Sequence, residues 1–344
     1  MSFWREDLGL LPPDPGDRLL LDGTDGGWNS AHAYSLTNLT ALAYEPEETV
    51  RSFLAERGWT LSEYRSLPHR PLFKVWSHTG WFAARKGDDL VVAVRGTEPP
   101  NLLNWATNLA IAPVRASRFI LEAGGRIHLG FGEAFSAMWP SLEVRLREFA
   151  DRDGKRVWIA GHSLGGAVAL LCASQMAFHA PRFGAVRLAG LYTCGQPRVG
   201  NREFADSITP HLGRLYFRIV HGNDIVPHVP PEFLAPNAVK RVASFFGKLF
   251  GIGERKCDYA HAGMLRYLPP ETGECTEALP PGCPRSVEEI AARLAPAFPL
   301  LRRMVIAGRQ TLAQLPAEIR HHFPMGSAPE HTAYVPRLRS FLAS

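Results

Sequence analysis

No stretch of this 344-residue chain approaches the roughly 20 consecutive apolar residues that span a bilayer, which leaves only peripheral contact with lipid open. Cysteine is scarce, five residues in all, and the odd count favours free thiols over a disulfide framework. Cys172 and Cys194 fall in apolar runs and read as small core residues. Cys257, Cys275 and Cys283 share one loop-rich stretch in which a single disulfide could form. No Cys/His spacing suits a zinc site, and no repeat or low-complexity tract occurs. Neither sign of charge dominates: 38 Lys and Arg against 33 Asp and Glu is an excess of five, too mild and too scattered to argue for nucleic acid. The N-terminal run Met1-Ser2-Phe3-Trp4-Arg5-Glu6-Asp7-Leu8 carries charges where an export signal needs apolar residues. The resulting expectation is a cytoplasmic or non-classically exported protein.

What is present fits a globular chain, 46% apolar and long enough to bury a large core. After a Pro/Asp/Gly-rich leader over residues 1–27, residues 28–344 read as a single domain. Residues 29–58 have helical spacing broken near Glu45-Pro46, which predicts two helices. Residues 73–77, 80–85 and 89–95 are short β-rich runs separated by turn residues, a hairpin leading into a central strand. Near-continuous apolar runs at 156–160, 186–193 and 215–220 predict strands buried on both faces. They alternate with helical patterns such as 134–151 and 163–179, and that alternation means a mostly parallel central sheet flanked by helices, an α/β fold. Two segments read as helical inserts. In 237–255, Val239, Val242, Phe246, Leu249 and Phe250 recur at helical spacing among Lys240, Arg241 and Lys248; 286–322 is punctuated by Pro296, Pro299 and Pro316.

The most informative run is Val157-Trp158-Ile159-Ala160-Gly161-His162-Ser163-Leu164-Gly165-Gly166, an apolar strand passing through Gly-x-Ser-x-Gly into an Ala/Leu-rich helix. This is the pattern of a nucleophile elbow, which makes Ser163 the candidate nucleophile. A serine hydroxyl attacks only when a base removes its proton and a carboxylate orients that base. Asp224 follows an apolar strand on a Pro-stiffened turn and fits the orienting role, with an Asx-type turn as its structural alternative. The base lies downstream, at His261 or His331. His331 is preferred, because it opens a short C-terminal helical pattern after a Gly/Ser/Pro loop. His162, His221, His228 and the His321-His322 pair read as packing or surface residues. Backbone donors for an oxyanion come from Leu164 at the start of the following helix and from Thr97, after the early strand ending Val94-Arg95-Gly96.

Taken together, these pieces resemble the class 3 (fungal-type) triacylglycerol lipase family. The matching motifs are Val94-Arg95-Gly96-Thr97, Asn104-Trp105-Ala106-Thr107-Asn108-Leu109, Ile127-His128-Leu129-Gly130-Phe131, the Gly161 to Gly166 elbow, and Thr193-Cys194-Gly195-Gln196-Pro197-Arg198-Val199-Gly200-Asn201. Asn223-Asp224, Tyr259-Ala260-His261-Ala262-Gly263 and His331-Thr332-Ala333-Tyr334 complete the set. The resemblance implies an α/β-hydrolase fold, the triad Ser163, Asp224 and His331, oxyanion donors Thr97 and Leu164, and a structural place for His261. It also implies a lid over residues 98–108, with Leu102, Leu103, Trp105 and Leu109 covering the site. The expected activity is cleavage of acylglycerol esters without metal or cofactor. Phospholipase A1 or short-chain esterase activity, and a non-catalytic binding scaffold, are the alternatives. The departures are the two inserts and Asn108, which stands where many relatives carry aspartate. The 237–255 segment has the make-up of an interfacial helix or of an amphipathic helix packed on the domain.

Overall fold

The computed structural model describes residues 19–21, 26–69, 77–96, 113–150, 154–184, 186–230, 258–270, 274–283, 322 and 334–342. Helices α1 (Ser30–Leu42) and α2 (Glu47–Ala55) precede strands β1 (Thr60–His69), β2 (Ser77–Lys86) and β3 (Asp89–Val94). Short strands β4 (Pro113–Arg115) and β5 (Arg126–His128) lead into α3 (Leu129–Phe149), β6 (Arg156–His162), α4 (Leu164–Phe178) and β7 (Arg187–Cys194). The chain continues through β8 (Gly200–Asn201), α5 (Arg202–Leu212), β9 (Tyr216–His221), β10 (Tyr259–Ala260) and β11 (Met264–Leu268) to α6 (Tyr334–Arg339).

The main sheet has the order β1-β2-β3-β6-β7-β9-β11. The ladders from β3 through β11 are parallel, whereas β1, β2 and β3 pair antiparallel along one edge. A parallel ladder needs a long crossover, and α3, α4 and α5 lie in the connections between its strands. Strands β6 and β9 are buried along nearly their whole length, as their mostly apolar runs require, and both α1 and α4 pack against β6 and β7. The β3–β6 register is fixed at its lower end by Asp89. Its carboxylate accepts Arg156 Nε at 2.8 Å, Arg156 Nη2 at 2.7 Å and Trp158 Nε1 at 2.8 Å.

The two predicted N-terminal helices are present, divided at Glu45-Pro46, and α2 opens with Glu47 and Glu48 in its first turn, where the helix dipole favours acid. Three parts of the architecture differ from the sequence expectation. A strand the sequence reading lacked, Thr60–His69, pairs with β2, and residues 73–76 of the expected run at 73–77 lie outside the described residues. Residues expected to be loop around His261 contain β11, which pairs parallel with β9 and closes the sheet's other edge. A second sheet of order β10-β8-β5-β4 is built from strands of two or three residues, too short to leave a periodic signature. Cys172 and Cys194 are buried thiols, and Cys275 is a free thiol. Cys257, the 237–255 segment and all of 286–322 except His322 lie outside the described residues.

Candidate active site

Strand β6 delivers Ser163 to the C-terminal end of the parallel sheet, and α4 begins at the next residue. Ser163 has φ 56° and ψ −128°, the only positive φ of a non-glycine residue among those described. An L-residue adopts such a conformation only when its surroundings impose it. Two contacts do so: Ser163 N–H donates to the Cys194 carbonyl at 2.9 Å, and the Ser163 carbonyl accepts Gly166 N–H at 2.9 Å. The turn also requires α4 to lie hard against the end of β3. A Cβ at Gly165 would stand 2.3 Å from the Val94 carbonyl oxygen and 2.4 Å from that of Arg95, so no larger residue fits. Ser163 is buried, and its Oγ is hydrogen-bonded to no described residue. Leu164 is the first residue of α4, where helix N–H groups lack intrahelical acceptors and face developing negative charge.

Asp224 lies three residues beyond β9 and is fully buried. Burial by itself would raise its pKa. The facing His322 ring, hydrogen bonds from His322 and Tyr334, and the Val226 N–H outweigh that effect and hold the carboxyl below its ordinary value. The bonds are short: Val226 N–H donates to Oδ1 at 2.9 Å, His322 Nδ1 is 3.0 Å from each oxygen, and the Tyr334 hydroxyl donates to Oδ2 at 2.6 Å. Tyr334 in turn accepts the His221 N–H at 3.2 Å. A carboxylate so supplied keeps its charge out of water and presents it to one imidazole.

That imidazole is His322, which is a correction to the reading of His322 as a packing or surface residue. His322 is buried, its ring 4.7 Å from that of His162. His331 and Thr97 lie outside the described residues, as do the lid positions Leu102, Leu103, Trp105 and Leu109. Ser163, Leu164 and Asp224 are described. His261 is apart from the carboxylate: its Nε2 donates to the Pro227 carbonyl at 2.7 Å. Burial first, then the charges of Arg218 and Arg198, push its pKa well down, so it is a neutral tie between β10–β11 and the Pro227 turn. Two participants escaped sequence reasoning. Tyr334 was visible only as the last residue of the His331-Thr332-Ala333-Tyr334 motif, and His322 carried no signal because it ends a stretch that reads as an insert.

The chain matches the class 3 lipase family over residues 91–234, which takes in β3, the elbow and Asp224. A lipase of Rhizomucor miehei is 29% identical over 213 residues, 60% of this chain and 57% of that protein. A secreted mono- and diacylglycerol lipase of Fusarium solani is 39% identical over 150 residues, 43% of this chain and 40% of that protein. The chain thus spans about half the length of these relatives. Among solved structures, the triacylglyceride lipase of Rhizomucor miehei superposes with a TM-score of 0.52 at 25% identity, covering 75% of this chain and 90% of that one. The fold is that of the α/β-hydrolases. The secreted relative overturns the expectation of a cytoplasmic or non-classically exported protein.

Proposed function

We propose, from the match to the class 3 lipase family over residues 91–234 and the similarity to fungal lipases, that the chain is a member of that family and hydrolyses carboxylic ester bonds of acylglycerols through an acyl-serine intermediate. The observation that carries the reading is Ser163 in its forced positive-φ turn at the head of α4, at the same end of the sheet as a buried carboxylate that grips an imidazole. In the reaction Ser163 Oγ attacks the ester carbonyl carbon while an imidazole nitrogen takes its proton. Leu164 N–H and Thr97 receive the resulting oxyanion. The tetrahedral species then collapses, the C–O bond to the alcohol breaks, and the imidazolium returns its proton to the leaving oxygen. Water repeats the sequence on the acyl-serine and releases the acid. The chemistry calls for neither metal nor cofactor, and the partner is a lipid or ester substrate, met at a lipid surface.

His322 is the base that the geometry supports, because it is the ring oriented by Asp224. A second reading, in which His331 takes that place during turnover, is favoured by Tyr334. The Tyr334 hydroxyl is bonded to Asp224, and His331 precedes Tyr334 by three positions, so that its Cα can be no more than roughly 11 Å from the Tyr334 Cα. Single variants decide between them. His322→Ala should lower kcat by about 10³-fold or more while His331→Ala stays within a few-fold; the opposite pattern assigns the base to His331. Rates on emulsified triglyceride, diglyceride and phosphatidylcholine beside p-nitrophenyl esters of graded length test the substrate class. Acylglycerols should be the best substrates, and preference for phosphatidylcholine or for short soluble esters would replace the lipase reading.

A further inference from the structure

Behind the elbow runs a chain of buried hydrogen bonds that ester cleavage, as written above, leaves unused. Its polarity follows from one end. A carbonyl oxygen can only accept, so His162 Nε2, 2.6 Å from the His322 carbonyl, carries a proton. Burial first, and then the neighbouring His322 ring, lower the His162 pKa to about 3; the ring is neutral and its Nδ1 is an acceptor. The Tyr44 hydroxyl, 2.8 Å from Nδ1, therefore donates to it. The same hydroxyl oxygen accepts Gly96 N–H at 2.9 Å. The chain thus reads Gly96 N–H to Tyr44 O–H to His162 Nδ1, and His162 Nε2–H to the His322 carbonyl.

Its two ends lie on the two halves of the site. Gly96 leaves β3 and precedes Thr97, and it is pressed against the elbow: a Cβ there would meet Ser163 Cβ at 2.6 Å and Tyr44 Oη at 2.7 Å. The other end is the backbone of the residue whose ring lies on Asp224. We propose that Tyr44 and His162 are positioning residues, a buried clamp that sets the Gly96 backbone, next to Thr97 in the chain, and the His322 backbone in register with Ser163. The role rests on the reading of Thr97 and Leu164 as oxyanion donors. Bonds in series polarise one another, and removing the Tyr44 hydroxyl strands both Gly96 N–H and His162 Nδ1. His162→Gln keeps a donor for the His322 carbonyl but loses the acceptor facing Tyr44, so it breaks the same central link.

The test is a double-mutant cycle on the full chain with Tyr44→Phe, His162→Gln and their combination. kcat and KM on p-nitrophenyl butyrate are read per active site titrated with a p-nitrophenyl phosphonate. Tyr44→Phe should lower kcat about tenfold to a hundredfold, as a sub-ångström to ångström misplacement of donors does, and leave KM within about threefold. The double variant should be no slower than the slower single variant, since both cut one bond. Wild-type kcat per titrated site with only a lowered Tm, or losses that multiply in the double variant, overturn the clamp. Nitrogen-15 spectra of His162 supply a readout apart from activity: an Nε2–H tautomer that stays neutral down to pH 4.5 is expected, and an Nδ1–H tautomer or protonation near pH 6.5 overturns the assignment. If the wild-type chain cleaves no ester, the functional reading fails and the spectra still decide the hydrogen-bond chain.

Discussion

At the scale of single residues the site is organised around one buried charge. Asp224 receives an imidazole N–H, a tyrosine O–H and a backbone N–H, which together overcome a burial that favours the neutral acid. Removing a donor to the charged form must raise its pKa. Tyr334→Phe should therefore move the acidic limb of the kcat/KM profile to higher pH and lower kcat by about tenfold, with the ring's packing retained. An acidic limb that stays in place would show that the hydroxyl does not act on Asp224. Asp224→Asn should be more severe, about 10³- to 10⁴-fold in kcat, because the imidazole loses both its orientation and the charge that stabilises its protonated form. The polar residues were unequally legible. Ser163 and Asp224 sit in local patterns that state their chemistry: a serine between glycines at a strand end, and an acid after an apolar strand. His322 and Tyr334 reach the site through long-range packing, at sequence separations of 98 and 110 from Asp224, and no local pattern encodes such a meeting.

At the scale of elements, the strand–turn–helix unit of β6, Ser163 and α4 sets the geometry. Helix α4 is apolar all round and buried over nearly every residue, so it is held by packing against β6 and β7 rather than by an amphipathic face. That packing brings Gly165 within a Cβ's reach of the carbonyl oxygens of Val94, the last residue of β3, and of Arg95. Gly165→Ala should destabilise the chain by about 3 kcal/mol or more, since the clash is with backbone that cannot rotate away. Urea unfolding would register it as a lower midpoint, and an unchanged midpoint would mean that α4 can slide. The middle of the parallel sheet was readable because β6 and β7 are near-continuous apolar runs that alternate with helical periods. The edges were not. Thr60–His69 mixes polar and apolar residues as an outer strand facing water on one side does, and Met264–Leu268 is a run of only five residues broken by Arg266. The four-strand minor sheet depends on pairings of residues as distant as Arg126–His128 and Gly200–Asn201, which periodicity over two or three residues cannot reveal.

At the scale of the whole molecule, two neutral histidines, His162 buried and His261 half-buried, govern the response to acid. The folded His162 has its pKa lowered to about 3, and that of His261 is shifted in the same direction, whereas in the unfolded chain both titrate near 6.5. Below that pH the unfolded chain gains protons that the folded chain refuses. The contribution of these rings is therefore intact above about pH 6.5 and is lost progressively as pH falls, at up to about 1.4 kcal/mol per pH unit for each ring. Asp224, with its depressed pKa, adds a loss only below about pH 4. Urea midpoints should begin to fall between pH 6.5 and 5, well before carboxylates titrate. A midpoint constant down to pH 4.5 would contradict the neutral assignment of the two rings.

Covalent trapping of the whole protein tests the account most directly. Incubation with a p-nitrophenyl alkylphosphonate, followed by digestion and mass spectrometry, should release one equivalent of p-nitrophenol and place a single phosphonyl group on the peptide that contains Ser163. Ser163→Ala should take up no label while keeping the wild-type unfolding midpoint. A label on another residue, or an equal label in Ser163→Ala, would contradict an acyl-serine mechanism at the elbow.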